Sequence, residues 1–177
     1  MTTRKKRPRS FKRLMLGDVI EIPLSGKRLA YAQYTHYHRD PPVFGHLIRV
    51  LPGLFRKRPD SFAELVQHQE RFYAFFPAGP AVHRGWVRIV GHEEIPERCR
   101  PFPLFKHTNV IARPLRPQYW ERLWDGKRDI PIDELRPDQY DLPILQIIPF
   151  DVLVERIESG WSPRDEVLID QPTDSGQ

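Results

Sequence analysis

The chain of 177 residues contains one cysteine, Cys99, so no intrachain disulfide can staple it, which suits a reducing compartment. It has no apolar run approaching the roughly 20 residues that span a bilayer. The N-terminus carries the positive charge of a secretory signal, but a signal also needs an apolar stretch of about 7–15 residues. Gly17, Asp18 and Glu21 interrupt the place where that stretch would lie. These absences lead us to expect a cytoplasmic protein with no membrane partner. Also missing are a GxGxxG turn, a Walker loop, paired CxxC units and a GxSxG elbow, the usual marks of dinucleotide binding, phosphoryl transfer, metal or thiol chemistry and ester hydrolysis. No repeat of 20–50 residues is visible. We expect no cofactor and no enzymatic activity.

Proline, by contrast, is abundant: nineteen residues of 177, about twice the usual share of roughly 5%. Each proline removes a backbone donor and fixes φ, so short strands and many ordered loops are expected. The length is that of one domain, large enough to hide about two-thirds of its unfolded surface without a staple. The net charge of +5 conceals an asymmetry. Residues 1–13 hold seven basic residues and no acid, residues 14–124 carry +6, and residues 125–177 carry −8. Such asymmetry bears on partners and steering rather than on fold.

Residues 19–24 and 28–37 read as a hairpin turned by Ser25-Gly26. Ala30 and Ala32 stand between Leu29, Tyr31 and Tyr34, a small–large alternation that suits a curved sheet. Pro41-Pro42 breaks the chain, 43–51 reads as a third strand, and 52–59 is a basic loop. Ser61 and Glu64, three apart before Leu65 and Val66, form a capping-box pattern that predicts a short helix at 62–68. The aromatic run 71–76 reads as a buried strand, turned by Pro77-Ala78-Gly79-Pro80 into a strand at 82–90. Residues 109–112 read as a short strand. Asp125-Gly126 predicts a second hairpin between 119–124 and 127–132. A polar turn or helix at 133–139 and an apolar strand at 142–148 follow. Pro149 opens a helix at 149–158, with Phe150, Leu153, Val154 and Ile157 on one face, and Gly160 ends it. The expected fold is a single α+β domain at 14–166, mainly antiparallel β, as a curved sheet or partial barrel with a short helix and a C-terminal helix. A disordered basic tail at 1–13 and a disordered acidic tail at 167–177 flank it.

Side chains that bear chemistry are scattered. His36 and His38 share a face of a strand and could reach one ion, but a zinc site needs three or four ligands. The sequence favours two polar residues at a strand end. His92-Glu93-Glu94-Ile95-Pro96 lacks the second histidine of a metalloprotease helix, and Pro96 would break it. Cys99 lies between two arginines, which favour a thiolate, but no base is identifiable from spacing, so it reads as an ordinary thiol. The adjacent pairs Asp133-Glu134 and Asp165-Glu166 point to opposite faces of an extended chain and make no acid–base dyad. The four tryptophans are expected mostly in the core. An exposed one would be a binding anchor.

Three blocks in order carry a resemblance. The first is Gly17-Asp18-Val19-Ile20-Glu21-Ile22-Pro23-Leu24 with the strand from Arg28 to Gln33. The second is Trp86-Val87-Arg88-Ile89-Val90-Gly91-His92, leading through Ile95-Pro96 to Pro101-Phe102-Pro103-Leu104-Phe105-Lys106. The third is the hairpin around Asp125-Gly126 with the closing segment and helix, including Glu155-Arg156. Over residues 12–162 the chain resembles the immunity protein 26 family of bacterial polymorphic toxin systems. The resemblance implies a mainly β cytosolic domain that binds and neutralises a cognate protein toxin by stoichiometric occlusion. Gly17, Pro23 and Trp86 would then serve the fold, Trp86 in the core. Toxins that attack nucleic acid carry basic clefts, so the expected contacts are the acidic residues Asp125, Asp129, Asp133, Glu134 and Asp138. The alternative is a nucleic-acid-binding β-barrel module using Arg4, Lys5, Lys6 and Arg7 with Arg56, Lys57 and Arg58.

Overall fold

The computed structural model describes residues 13–107 and 122–166. Five strands form an antiparallel sheet: β1 (Asp18–Pro23), β2 (Leu29–His38), β3 (Gly45–Val50), β4 (Phe72–Phe75) and β5 (Arg88–His92), in the order β4-β3-β2-β1-β5. The expected first hairpin is present, with Val19 opposite Gln33 and Pro23 opposite Leu29. The sheet is curved and does not close, so β4 and β5 are its edges. A second antiparallel sheet holds β6 (Phe105–His107), β7 (Arg122–Trp124) and β8 (Asp129–Pro131). Helix α1 (Ala78–His83) joins β4 to β5, and α2 (Phe150–Ser159) follows the second sheet. No helix among the described residues is long and apolar enough to cross a membrane.

Period-two alternation divides the main sheet into two buried faces. Ile20, Ile22, Ala30, Ala32, Tyr34, Ile48, Val50 and Phe72 pack under α1 and α2, against Ala78, Ala81, Leu153 and Ile157. The alanines on strands and helix alike let these layers approach closely. The opposite face carries Val19, Tyr31 and Leu51 and is covered by Phe62 and Val66 from a loop. A third cluster, Leu47, Phe75, Phe105 and Trp124, joins the two sheets. Gly160 ends α2 in the left-handed conformation at φ 76°, as its position after the last apolar residue predicts.

Four expectations are corrected. Pro77-Ala78-Gly79-Pro80 opens α1 instead of turning a hairpin, and β5 begins only at Arg88. Proline is tolerated in a first turn because its missing N–H has no intrahelical acceptor there. The helix at 62–68 contracts to a 3-10 turn at Leu65–Gln67. Ser61 caps Ala63 at 3.2 Å, and His68 ends the turn by becoming extended at ψ 157°; the carbonyls of Val66 and His68 accept from the Arg49 guanidinium. The segment 142–148 is not a strand: Ile144 bridges to Lys106 and Ile147 to Phe75 singly, because Pro143 and Pro149 have no N–H to extend a ladder. Trp86 lies outside the core, 42% exposed, stacked on Phe150 at 5.7 Å with Arg84 over its ring at 4.9 Å.

The second hairpin forms with its turn one residue later than expected. Gly126, at φ 96°, takes the first central position, and Asp125 precedes it, accepting from the N–H groups of Lys127 at 3.0 Å and Arg128 at 2.8 Å. A Cβ on Gly126 would lie 2.9 Å from the Phe102 ring, so the turn and this aromatic pack only with glycine there. The strand expected at 109–112 lies outside the described residues.

Candidate functional site

One irregularity in β2 builds an open recess on the molecule's described surface. Tyr34 pairs with Ile48 and His36 with Leu47, so Thr35 is an extra residue, a β-bulge. A bulge shifts the alternation by one. Tyr34 and Tyr37, three apart, therefore project on the same side, and both rings meet His46 of β3, at 5.1 and 5.0 Å. Gly79 of α1 approaches this histidine so closely that a Cβ would lie 3.3 Å from its ring. Tyr34, His46, Gly79 and Val82 form the floor of an open groove of about 1200 Å³.

The wall opposite is the segment 13–16, held by two residues of the first block. Gly17, at φ 93°, donates to the Tyr34 carbonyl at 2.8 Å, and a Cβ there would stand 2.7 Å from the Glu93 carbonyl oxygen. The buried Asp18 carboxylate accepts from the Met15 N–H at 2.7 Å and faces His92 Nδ1 at 2.9 Å. Glycine and aspartate thus curl the chain and present Met15 and Leu16 on the rim, 56% and 51% exposed. Val43 and Tyr37 stand on the rim as well, 55% and 43% exposed, and the Arg39 guanidinium lies over the Tyr37 ring at 5.4 Å.

The groove has one sign of charge. Arg13 and Arg39 line it with His46 and His83, and none of the described residues lining it is a carboxylate. Burial lowers the His46 pKa, so its imidazole stays neutral. Burial, with a smaller contribution from Tyr37, pushes the Tyr34 hydroxyl up to about 12; it remains a neutral phenol. The arrangement can bind, with an apolar floor, neutral polar groups and cationic edges.

No protein-family model, curated protein or solved structure matches this chain. The resemblance carried by its three blocks stands on their residues alone.

The structure distributes the residues expected from the sequence. Asp125 and Asp129 lie on the β7–β8 hairpin, and Asp133, Glu134 and Asp138 lie on the turns after it; none lines the groove. Three of the five are bonded within the chain: Asp125 to Arg128 at 2.9 Å, Asp129 to His107 at 2.7 Å and Asp138 to Arg136 at 3.2 Å. Hydrogen bonds from the backbone and side chain of Arg128 hold the Asp125 carboxyl down at about 2. Asp133 and Glu134 are exposed.

Among the basic candidates, Arg58 is taken by the buried Glu21 carboxylate in a bidentate pair at 2.7 and 2.8 Å, while Arg56 and Lys57 face solvent. Arg4, Lys5, Lys6 and Arg7 lie outside the described residues. His36 and His38 share a face, but each turns Nε2 to a backbone carbonyl, that of Arg100 at 2.8 Å and of Gly126 at 3.0 Å. No group of three or more potential metal ligands occurs among the described residues. Cys99 is buried, its Sγ 3.7 Å from Glu70 Oε2.

Sequence reasoning missed the groove because bulges carry no strong signal. The available one was the tyrosine pair three apart in a segment of otherwise regular strand alternation.

Proposed function

We propose that this chain is an immunity protein, a binding protein that neutralises a cognate toxin by covering it in a stoichiometric complex. The resemblance of the three blocks supports the reading. The observation that carries it in the structure is a groove whose walls are fixed by backbone hydrogen bonds and a buried carboxylate, with four exposed apolar or aromatic side chains on its rim. Tyrosine and arginine, here Tyr37 with Arg39, are among the residues on which binding energy concentrates. A stable complex would cover on the order of 1,600 Å² in total, so the groove would be the centre of a larger contact. Asp133 and Glu134 remain as the acidic contribution to that contact, since the other three candidate carboxylates already have partners.

The test is capture of the tagged protein from the lysate of the cell that makes it, washed at high salt. The expected result is one stoichiometric protein partner, toxic when expressed alone and harmless when co-expressed with this chain. Nucleic acid released by the salt wash, with no protein retained, would favour the alternative of a nucleic-acid-binding module.

A further inference from the structure

We propose that the groove at the bulged end of β2 is the docking site for an acidic segment of the partner protein that carries an apolar anchor. This inference rests on the immunity reading for the identity of the partner but on the groove alone for its chemistry. Charge complementarity selects the class: Arg13 and Arg39 stand at the edges, and the described lining has no carboxylate to answer them. Two carboxylates of an incoming chain would pair with the arginines, which bind such groups in a bidentate fork. The floor selects the anchor. Val82 and the Tyr34 ring line the groove together with the exposed Met15, Leu16 and Val43, so a Leu- or Phe-sized side chain entering there removes apolar surface on both partners from water.

Size argues for a chain segment. A volume of about 1200 Å³ exceeds the roughly 300–1,000 Å³ typical of a small-molecule pocket. Nucleic acid would also supply negative charge, but its single strands are held by bases stacked on open aromatic faces. Little of such a face is open here: the Arg39 guanidinium lies over the Tyr37 ring at 5.4 Å, and Tyr34 is 5% exposed.

The experiment selects random peptides displayed on phage against the full chain. A parallel selection uses the Arg39→Glu, Val43→Asp double variant, whose altered side chains are both exposed, so a thermal melt close to wild type checks its fold. We expect the wild-type pool to be enriched in Asp and Glu next to Leu, Ile or Phe. Affinity of a synthesised winner should fall at least tenfold in the double variant, and unlabelled poly-deoxythymidine should not displace it. A pool without acidic enrichment, binding unchanged in the variant, or displacement by the oligonucleotide would each overturn the proposal. The two readings separate in co-expression. If the captured toxin is neutralised equally by wild type and double variant, the groove assignment fails and the immunity role stands. If peptides bind as expected but the captured partner is not toxic, the groove stands and the immunity role fails.

Discussion

On the side of the main sheet covered by α1 and α2, the buried strand residues are almost all apolar. On the other side, the same strands place Glu21, Gln33 and Arg49, each 5% exposed or less, among the apolar residues. The difference follows from what covers each face. A helix satisfies its own backbone, so the strands beneath it need supply only apolar surface. A loop leaves carbonyls without partners, and when it is laid on a sheet the sheet must provide donors. Arg49 provides them: its guanidinium donates to the carbonyls of Val66 and His68, to Gln33 Oε1 at 2.8 and 3.0 Å, and to the Glu70 carboxylate at 3.4 Å. Gln33 in turn donates to the Glu93 carbonyl at 2.9 Å. A buried polar cluster that could pass for a catalytic site is the means by which two loops are fastened.

Removing the guanidinium while keeping volume is the strongest way to break this comparison. Arg49→Met removes one of the two arginines on Glu70 and strands the Val66 carbonyl and the Gln33 amide oxygen. Breaking one partner of a buried charged network costs about 3–5 kcal/mol, and we expect a loss in that range from urea unfolding. A cost below about 1 kcal/mol, that of an exposed ion pair, would show that apolar contacts of Phe62 and Val66 hold the loop by themselves. On the helix face the matching change is Leu153→Ala. Leu153 is fully buried, and truncation of such a leucine costs about 3 kcal/mol through lost transfer energy and the cavity left behind. The helix-face loss should be insensitive to salt, and the loop-face loss should shrink in Glu70→Gln, because that background already lacks the carboxylate.

These two faces were unequally legible in the sequence. The helix face was readable because strand alternation and the 3–4 spacing of Phe150, Leu153 and Ile157 are local patterns. The first hairpin and the C-terminal helix came from them. The loop face depended on Arg49 reaching residues 17 and more positions away in sequence, and no local pattern reports that. The turn expected to run as a helix over 62–68 is ended at His68, which becomes extended and gives its carbonyl to Arg49. The strand expected at 82–90 failed differently: proline read as a turn signal, though it also suits a helix's first turn. The groove needed a bulge at Thr35, a backbone insertion visible only once β3 is paired. Gly17-Asp18 was noticed as a motif, but its work, curling residues 13–16 into a wall, required the partner carbonyls of Tyr34 and Glu93.

A smaller effect tests whether the polar links of the loop face are equal. Arg58 reaches Glu21, which also lies 3.3 Å from the Tyr31 hydroxyl. The Arg58 side chain is half exposed, so water screens the pair and Arg58→Ala should cost about 1 kcal/mol. High salt should reduce that cost, in contrast to Arg49→Met, whose charge is sealed from the solvent. Equal salt responses would mean that the loop opens as a unit and exposes both pairs together.

A pH dependence joins the two faces to the second sheet. Lys106, buried in β6, donates to the carbonyls of Tyr140 at 2.6 Å and Pro163 at 2.8 Å, and burial lowers its pKa from 10.5 to about 8. Between those values the unfolded chain holds a proton that the folded chain has released, so stability rises with pH across the window. Tyr31 on the loop face and Tyr34 on the helix face are both pushed up from 10.0 to about 12, chiefly by burial. The folded chain then keeps protons that the unfolded chain loses, and stability falls as pH climbs from 10 towards 12. The urea midpoint should therefore drift upward from pH 8 to about 10 and drop beyond it. Lys106→Met should abolish the rise and leave the drop. Tyr34→Phe should weaken the drop without touching the rise, since the two groups sit on different sheets. A rise that survives in Lys106→Met would place its source in another buried group.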